Sequence, residues 1–310
     1  MEKRTYPIYI ASSVMDGGIY QYLFSEDGSL EFVNFTQMDR PMYMIKDKHE
    51  IDILLREPFQ GESGVVTYSI DDQGILREPT EIYSTRGKGA CHLTKSGGKI
   101  YCVNYWSGSV VCMPNMIKEH NNGEYVAHPH FVGNTPDEKY LMVSDLGLDK
   151  IFVYDKELEV KSVLNLPSGY GPRHLICHEN ERIIYCANEL HSSVSVLEYE
   201  DGMLSLKDTI STVPSDFRGN NAVAAIRFNK NKVFVSNRGH DSIAIFDFSG
   251  KSLTFEKTVS VYGCGPRDFI ETENNFICAN QISDTVTVVS KKTGRLLAEI
   301  SIKEPMCICT

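Results

Sequence analysis

Three stretches of this chain follow the same pattern of letters. They are IIYCANELHSSVSVLEY at residues 183–199, VFVSNRGHDSIAIF at 233–246 and FICANQISDTVTVV at 276–289. In each, a run rich in β-branched and aromatic residues ends at an asparagine, a polar turn follows, and a second such run begins. The pattern predicts two antiparallel β-strands joined by a tight turn.

The same unit recurs along the whole chain. Clear copies are IYCVNYWSGSVVCM at 100–113 and YLMVSDLGLDKIFVY at 140–154, and weaker copies lie at 8–22 and 53–68. We call the residue that ends the first run the marker residue. The markers are Ser12, Arg56, Asn104, Asp145, Asn188, Asn237 and Asn280, and the gaps between them are 44, 48, 41, 43, 49 and 43 residues. A period of this size is typical of a four-stranded propeller blade.

We therefore predict an all-β fold, a seven-bladed β-propeller of four-stranded antiparallel blades, in which residues 1–310 form a single domain. The alternative is two separate β-sandwich domains. It is disfavoured because no Pro/Ser-rich linker or change of composition divides the chain.

The two ends of the chain are predicted to share one blade. A further strand-like segment precedes every marker except the first, and one more, EPMCIC at 304–309, lies near the C-terminus with no marker after it. The simplest interpretation is that this segment pairs with the N-terminal run at 7–11. Such a closed ring hides both sheet edges.

Composition limits the partners. The 310 residues carry a formal net charge of −10 with a pI near 5.4, which argues against nucleic acid or an anionic membrane as a partner.

The chain starts without an apolar run of signal length, and no later run is long enough to span a membrane. The nine cysteines are mostly in apolar runs and indicate reduced core residues, so we expect a cytoplasmic protein. The oligomeric state is not predicted.

Polar residues are expected to cluster at one mouth of the central channel. The start of an inner strand and the end of the second strand lie at the same end of an antiparallel blade. The charged residues and the imidazole at these positions fall in consecutive blades: His130, Arg173, Glu189, Arg238 and Arg267. Three arginines against one glutamate make a local cationic pocket on an acidic protein, which suits a small anionic substrate.

Each of these residues also has a structural interpretation. Arg173 could bridge blades through Glu189 or Asp145, Arg267 could be neutralised by Asp268, and His130 could serve packing.

The other histidines are weaker candidates. His92 and His174 are predicted to be packing residues, and His120 is predicted to be solvated in a polar loop. The sequence gives no preferred direction for the side chain of His240. His128 and His130 in HPH could be a metal pair, but no carboxylate-rich motif accompanies them. Motifs for a serine nucleophile, a phosphate loop or a zinc hydrolase are missing from the sequence, and we expect no metal and no cofactor.

The sequence resembles a known enzyme family over nearly its full length. The run HPHFVGNTPD at 128–137, GPRH at 171–174, NEL at 188–190 with the following SSV, and NRGHDSI at 237–243 occur in the order found in the bacterial lactonase family of seven-bladed propellers. That family is typified by 6-phosphogluconolactonase and is related to the fungal carboxymuconate-lactonizing enzyme. The resemblance implies a metal-independent hydrolase that opens a sugar lactone, in the pentose phosphate pathway.

Carried over residue by residue, the family's motif positions fall on His130, Arg173, Glu189 and Arg238. These are implied to act on the lactone, with His130 or Glu189 as the base and Arg173 at the carbonyl oxygen. Arg238 and Arg267, with His128 and His240 nearby, would bind the rest of an anionic substrate. A muconate-type cycloisomerase and a non-catalytic propeller scaffold remain alternatives, since one fold hosts many functions.

Overall fold

The computed structural model describes residues 5–121, 126–179, 182–250 and 252–310. These residues form strands, turns and loops, and no helix occurs among them. No segment of the described chain is therefore a helix long and apolar enough to cross a membrane. The chain divides into two compact units, one made of Met1–Ser84 and Val259–Thr310 and the other of Thr85–Thr258. We call them unit 1 and unit 2.

The strands follow one another at short intervals along the chain. The N-terminal part of unit 1 holds β1 (Thr5–Ser12), β2 (Gly18–Ser25), β3 (Leu30–Gln37), β4 (Pro41–Lys46), β5 (Glu50–Phe59), β6 (Glu62–Ile70), β7 (Leu76–Pro79) and β8 (Tyr83–Ser84). Next come β9 (Ala90–Ser96), β10 (Lys99–Asn104), β11 (Ser109–Cys112), β12 (Met116–Glu119), β13 (Pro129–Asn134), β14 (Leu141–Asp145), β15 (Lys150–Tyr154) and β16 (Val160–Asn165). They are followed by β17 (Pro172–Cys177), β18 (Ile183–Asn188), β19 (Ser193–Glu200), β20 (Met203–Ser211), β21 (Ala222–Asn229), β22 (Lys232–Arg238), β23 (Ser242–Phe248) and β24 (Leu253–Ser260). The last strands are β25 (Pro266–Glu271), β26 (Asn275–Asn280), β27 (Thr285–Ser290), β28 (Leu296–Ser301) and β29 (Pro305–Cys309).

The described strands form seven sheets. In unit 2 the strand orders are β12-β11-β10-β9, β13-β14-β15-β16, β17-β18-β19-β20 and β21-β22-β23-β24. In unit 1 they are β29-β1-β2-β3, β4-β5-β6-β7 and β25-β26-β27-β28. The repeat predicted from the markers is thus confirmed as a four-stranded sheet. The short β8 also pairs with β6, which gives one sheet a fifth strand.

Burial explains why the second strand of each repeat is so apolar. In β18 five of the six residues are buried, and in β26 all six are, because both faces of these strands are covered. The fourth strands alternate instead, so that in β20 Met203 is exposed and Leu204 is half-buried. The change from a continuous apolar run to period-2 alternation therefore follows the position of a strand in its sheet.

A buried asparagine anchors the turn after most second strands. The Nδ2 of Asn188 donates to Ser193 Oγ at 2.9 Å and to Ser195 Oγ at 2.8 Å, across the turn to the third strand. Asn237 Nδ2 donates to the backbone oxygen of Thr212 at 2.9 Å. These bonds satisfy amide donors that would otherwise be buried without partners. They explain why Asn, with Ser or Thr after the turn, recurs at the marker position.

The predicted pairing of the chain ends is confirmed. Strand β29 lies antiparallel to β1, with Ile10 opposite Ile308 and Ala11 opposite Cys307. Ile308 is 2% exposed and belongs to a buried apolar cluster that also contains Ile10. The C-terminal segment is therefore both a strand of the N-terminal sheet and part of its core.

Truncating residues 304–310 is expected to lower the free energy of unfolding by several kcal/mol, because it removes a buried strand and exposes the edge of β1. Ile308→Ala alone should cost about 2–5 kcal/mol through the lost apolar contacts and the cavity left behind. Urea unfolding followed by circular dichroism measures both.

Removal of the exposed Thr310 by itself serves as the matched control and should change little. If the long truncation unfolds at the same urea concentration as the full chain, the pairing of β29 with β1 does not stabilise the protein.

Candidate functional site

The candidate residues of unit 2 stand at the ends of neighbouring strands. His130 and Arg173 are the second residues of β13 and β17. Glu189 directly follows the marker Asn188, and Arg238 directly follows the marker Asn237 as the last residue of β22. Pro129 pairs with Asp145 and Pro172 with Asn188, so the start of each first strand lies beside the end of its second strand.

One carboxylate oxygen joins two arginines. Glu189 Oε2 lies 2.9 Å from Arg173 Nε and 2.9 Å from Arg238 Nη2. The side chains of Glu189 and Arg238 are 19% and 18% exposed, and that of Arg173 is 3% exposed. The bridge therefore has a buried arginine on one side and an arginine that reaches solvent on the other. The sequence analysis allowed Arg173 to pair with Glu189 or Asp145, and the structure pairs it with Glu189.

Further hydrogen bonds fix both guanidinium groups. Arg173 Nη1 donates to the backbone oxygen of Ala224 at 2.8 Å, and Arg238 Nη2 donates to that of Val223 at 3.1 Å. Both acceptors belong to β21, which holds the two arginines against the same strand. Burying a guanidinium is costly unless a counter-ion and several acceptors accompany it, and Glu189 with these carbonyls supplies them.

A row of buried histidines lies beside Arg173. Arg173 Nη1 lies 3.2 Å from His174 Nε2, and since a guanidinium can only donate, this imidazole nitrogen is the acceptor. The ring of His174 contacts the ring of His130 with centroids 5.4 Å apart and the ring of His92 at 5.1 Å. His130 is 5% exposed. Through His174, His130 is thus connected to the arginine bridge.

Burial and positive charge keep two of these histidines, His92 and His174, neutral. Burial, followed by the charge of Arg173, holds the pKa of His174 well below its usual value. Burial, with Arg173 and Arg227, lowers the pKa of His92 to about 3. The arginines therefore carry the fixed positive charge of the site, and these two imidazoles are neutral at neutral pH.

Aromatic rings flank His130 on another side. Tyr105 contacts His130 edge-on at 5.6 Å and stacks on His128 at 4.3 Å with an interplanar angle of 8°. His128 Nδ1 lies 3.0 Å from the backbone oxygen of Tyr105. Trp106, next in the chain, contacts Tyr105 edge-on at 4.9 Å. Tyr105 and Trp106 were not among the predicted site residues, although Tyr105 follows the marker Asn104 as Glu189 follows Asn188.

The two remaining predicted binding residues are placed differently. His240 lies in the turn after β22, with its Nδ1 2.7 Å from Ser242 Oγ and its ring edge-on to Phe217. Arg267 belongs to unit 1, where its Nη1 lies 3.5 Å from Gln281 Oε1. Its neighbour Asp268 accepts the backbone N–H of Ile308 at 3.0 Å.

The prediction that His120 is solvated is wrong. Its side chain is 1% exposed, with Nδ1 2.7 Å from Asp145 Oδ2 and Nε2 2.7 Å from Tyr154 Oη. The other carboxylate oxygen of Asp145 accepts the backbone N–H of His128 at 2.8 Å. This buried network therefore holds the segment that leads into β13. Among the described residues, no group of three or more His, Cys, Asp or Glu is arranged to hold a metal ion.

The neutral imidazoles of His92 and His174 predict a pH-dependent stability. Below about pH 6.5 His92 and His174 become protonated in the unfolded chain but not in the folded chain. The unfolded state therefore binds more protons, and the free energy of unfolding decreases as the pH is lowered. For His92 this loss extends down to about pH 3. His92→Phe removes one such group, and between pH 6.5 and 5 it should lose about 2 kcal/mol less than the wild type.

Urea unfolding at a series of pH values measures the slope of the free energy of unfolding against pH. A packing change in the variant shifts this free energy equally at every pH and leaves the slope unchanged. His49→Gln, at an exposed position, is the control and should keep the wild-type slope. Equal slopes for wild type and His92→Phe would show that His92 is not held neutral.

Comparisons with known proteins identify the family. The family described as "Lactonase, 7-bladed beta-propeller" matches residues 8–310. An uncharacterised protein of Staphylococcus epidermidis is 29% identical over 94% of this chain and 93% of its own length. One from Staphylococcus aureus is 30% identical over 90% of this chain and 91% of its own.

Solved structures show the same fold. A periplasmic gluconolactonase of Pseudomonas aeruginosa superposes with a TM-score of 0.89 at 24% identity, covering 99% of both chains. A protein of Bacteroides fragilis, provisionally described as a 6-phosphogluconolactonase, gives a TM-score of 0.85 at 23% identity over 98% of this chain and 97% of its own. With the seven antiparallel sheets, these matches confirm the predicted fold class. The chain belongs to the lactonase family of seven-bladed β-propellers.

Proposed function

We propose that this protein hydrolyses a sugar lactone and that its substrate is 6-phosphogluconolactone, which it converts to 6-phosphogluconate. Family membership and the likeness to a gluconolactonase support lactone hydrolysis in general. The single observation that carries the proposal further is the Arg173–Glu189–Arg238 bridge, because it places fixed positive charge next to a partly open surface on an acidic protein. An anionic substrate would be drawn to this place.

The proposed reaction needs three elements. A base takes a proton from water, the water oxygen bonds to the carbonyl carbon of the lactone, and positive groups stabilise the oxyanion that forms. The bond between that carbon and the ring oxygen then breaks, and the ring oxygen takes up the proton. The opened sugar acid then has a new hydroxyl group and a carboxylic acid, which releases its proton to solvent and becomes the carboxylate; water is the only other reactant.

We assign the base to His130. An imidazole suits proton transfer at neutral pH, and His130 is a near neighbour of the bridge through His174. Glu189, the alternative base from the sequence, uses one carboxylate oxygen to bind two guanidinium groups. Its proposed role is to position the arginines and to offset part of their charge.

The arginine bridge is assigned to the oxyanion. Since Arg173 and Arg238 share one oxygen of Glu189, they form a single positive unit, and Arg238 is its more exposed member. Preorganised charge of this kind acts in the transition state without the cost of reorganising solvent. The remote phosphate is assigned to Arg267, with His128 and His240 as further substrate-binding residues.

The test is hydrolysis of 6-phosphogluconolactone and of gluconolactone, followed spectrophotometrically with a chelator present, since no metal is proposed. The phosphorylated lactone should be preferred. His130→Asn should lower kcat by roughly 10²- to 10⁴-fold with little change in KM, as is typical of losing a general base. Glu189→Gln should lower kcat as well, because it releases both arginines.

Each variant is first checked for wild-type circular dichroism. If correctly folded His130→Asn and Glu189→Gln both keep near wild-type kcat, the cluster is a structural network. If muconate-type diacids are turned over and lactones are not, the protein is a cycloisomerase. If it neither binds nor converts any of these ligands, it is a non-catalytic scaffold.

The assignment of the phosphate predicts a different effect for Arg267. Arg267→Met should mainly raise KM for 6-phosphogluconolactone and leave KM for gluconolactone nearly unchanged, because only the first substrate loses a charged contact. Steady-state kinetics with both lactones measures the ratio.

Arg182→Met is the matched control, since Arg182 is exposed and lies next to the start of β18, at the opposite end of that strand from Glu189. A parallel rise in KM for both substrates, or none for either, would remove Arg267 from the phosphate site.

A further inference from the structure

Trp106 is a large aromatic residue that the fold leaves exposed. It is the chain's single tryptophan, and 70% of its surface reaches solvent. Indole rings are usually well buried, because their large apolar surface dominates packing energies. An exposed indole beside a candidate site therefore suggests that a ligand covers it.

The indole is held in one place. Its ring contacts Tyr105 at 4.9 Å and His128 at 5.8 Å, both edge-on. The backbone N–H of Trp106 donates to the oxygen of Lys88 at 3.1 Å. The ring also lies directly on Gly89, which has a positive φ of 67° and where a Cβ would overlap Trp106 Cδ1. A ligand that binds this ring would not have to pay for ordering it.

Covering the glycine does not itself require an indole. At the corresponding place of another sheet, Leu190 follows the marker Asn188 by two residues and lies on Gly171, which also has positive φ. Leucine therefore suffices for this packing, although Leu190 too is 57% exposed. The indole of Trp106 presents a wide flat surface beyond what the turn needs.

Trp106 is connected to the candidate base His130 through Tyr105. Tyr105 contacts the rings of Trp106 and His130, both with nearly perpendicular ring planes, and it stacks on His128. Tyr105 follows the marker Asn104 in the same way that Glu189 follows Asn188, and Trp106 is the next residue. The flat surface thus lies one ring, that of Tyr105, away from His130, at the end of the sheets that carries the arginine bridge.

We propose that Trp106 is a specificity-determining residue on which the flat C–H face of the lactone's sugar ring stacks. This inference rests on the proposed function and adds to it a preference for substrates with one unhindered ring face. Aromatic contacts of this kind are worth a few-fold to about tenfold in affinity beyond the area buried. The contact holds substrate and transition state alike, so it acts on KM rather than on kcat.

The first measurement uses the intrinsic fluorescence of Trp106, which reports on this one place because the chain has a single tryptophan. Titration with glucose 6-phosphate, a ring-closed analogue that has a phosphate but no lactone bond to hydrolyse, should change the emission with a saturating curve whose midpoint agrees with calorimetry. Binding seen by calorimetry with unchanged emission overturns the stacking contact.

The second measurement compares two substitutions in lactone hydrolysis. Trp106→Leu keeps the cover over Gly89, as Leu190 does over Gly171, but removes the aromatic surface, and it should raise KM roughly threefold to tenfold with kcat unchanged. Trp106→Phe should recover most of that loss. Met203→Ala truncates an exposed side chain on β20 and is the control, expected to change neither constant.

The outcomes separate the two proposals. If lactones are hydrolysed and Trp106→Leu keeps the wild-type KM, the stacking contact is wrong and the lactonase assignment stands. If the wild type neither hydrolyses lactones nor binds glucose 6-phosphate, the lactonase assignment is wrong, and the stacking contact is overturned with it.

Discussion

The buried amide of the marker asparagine is the interaction on which the sheets depend. Asn188 and Asn280 lie at the end of fully covered strands and donate to Ser or Thr hydroxyls at the start of the next strand. An amide buried without these partners would cost about 1–3 kcal/mol, so each turn has one favoured geometry. The same geometry fixes the direction of the residue that follows. Glu189 and Arg238 are therefore placed by the bond that holds the fold, and a change of marker would disturb site and sheet together.

The repeat made the fold predictable from the sequence. The marker spacing identified the second and third strands, and the unpaired segment at 304–309 identified the shared sheet, because an apolar strand without its own hairpin must find an edge elsewhere. Side-chain partners were less predictable. The sequence allowed Arg173 to form an ion pair with either of two carboxylates. Only the structure shows that it pairs with Glu189, while Asp145 binds His120.

The error at His120 has a physical reason. Its neighbours are polar, and such composition indicates a solvated loop, but its two partners come from β14 and β15, which are 25 and 34 residues further along the chain. Local composition carries no information on such contacts. Trp106 was overlooked for a related reason, since an aromatic residue in a β-rich unit is expected to pack, and its exposure depends on the glycine beneath it.

The charges of the site balance in a way that suits an anionic transition state. Two guanidinium groups against one carboxylate leave one positive charge at the bridge. A second carboxylate would cancel it, and no carboxylate would leave the buried Arg173 without a counter-ion, which is costly. The neighbouring imidazoles of His92 and His174 add no charge, because burial and Arg173 keep them unprotonated. The positive charge is thus constant over the neutral pH range, and in the proposed reaction it would balance the single negative charge that develops on the lactone oxygen.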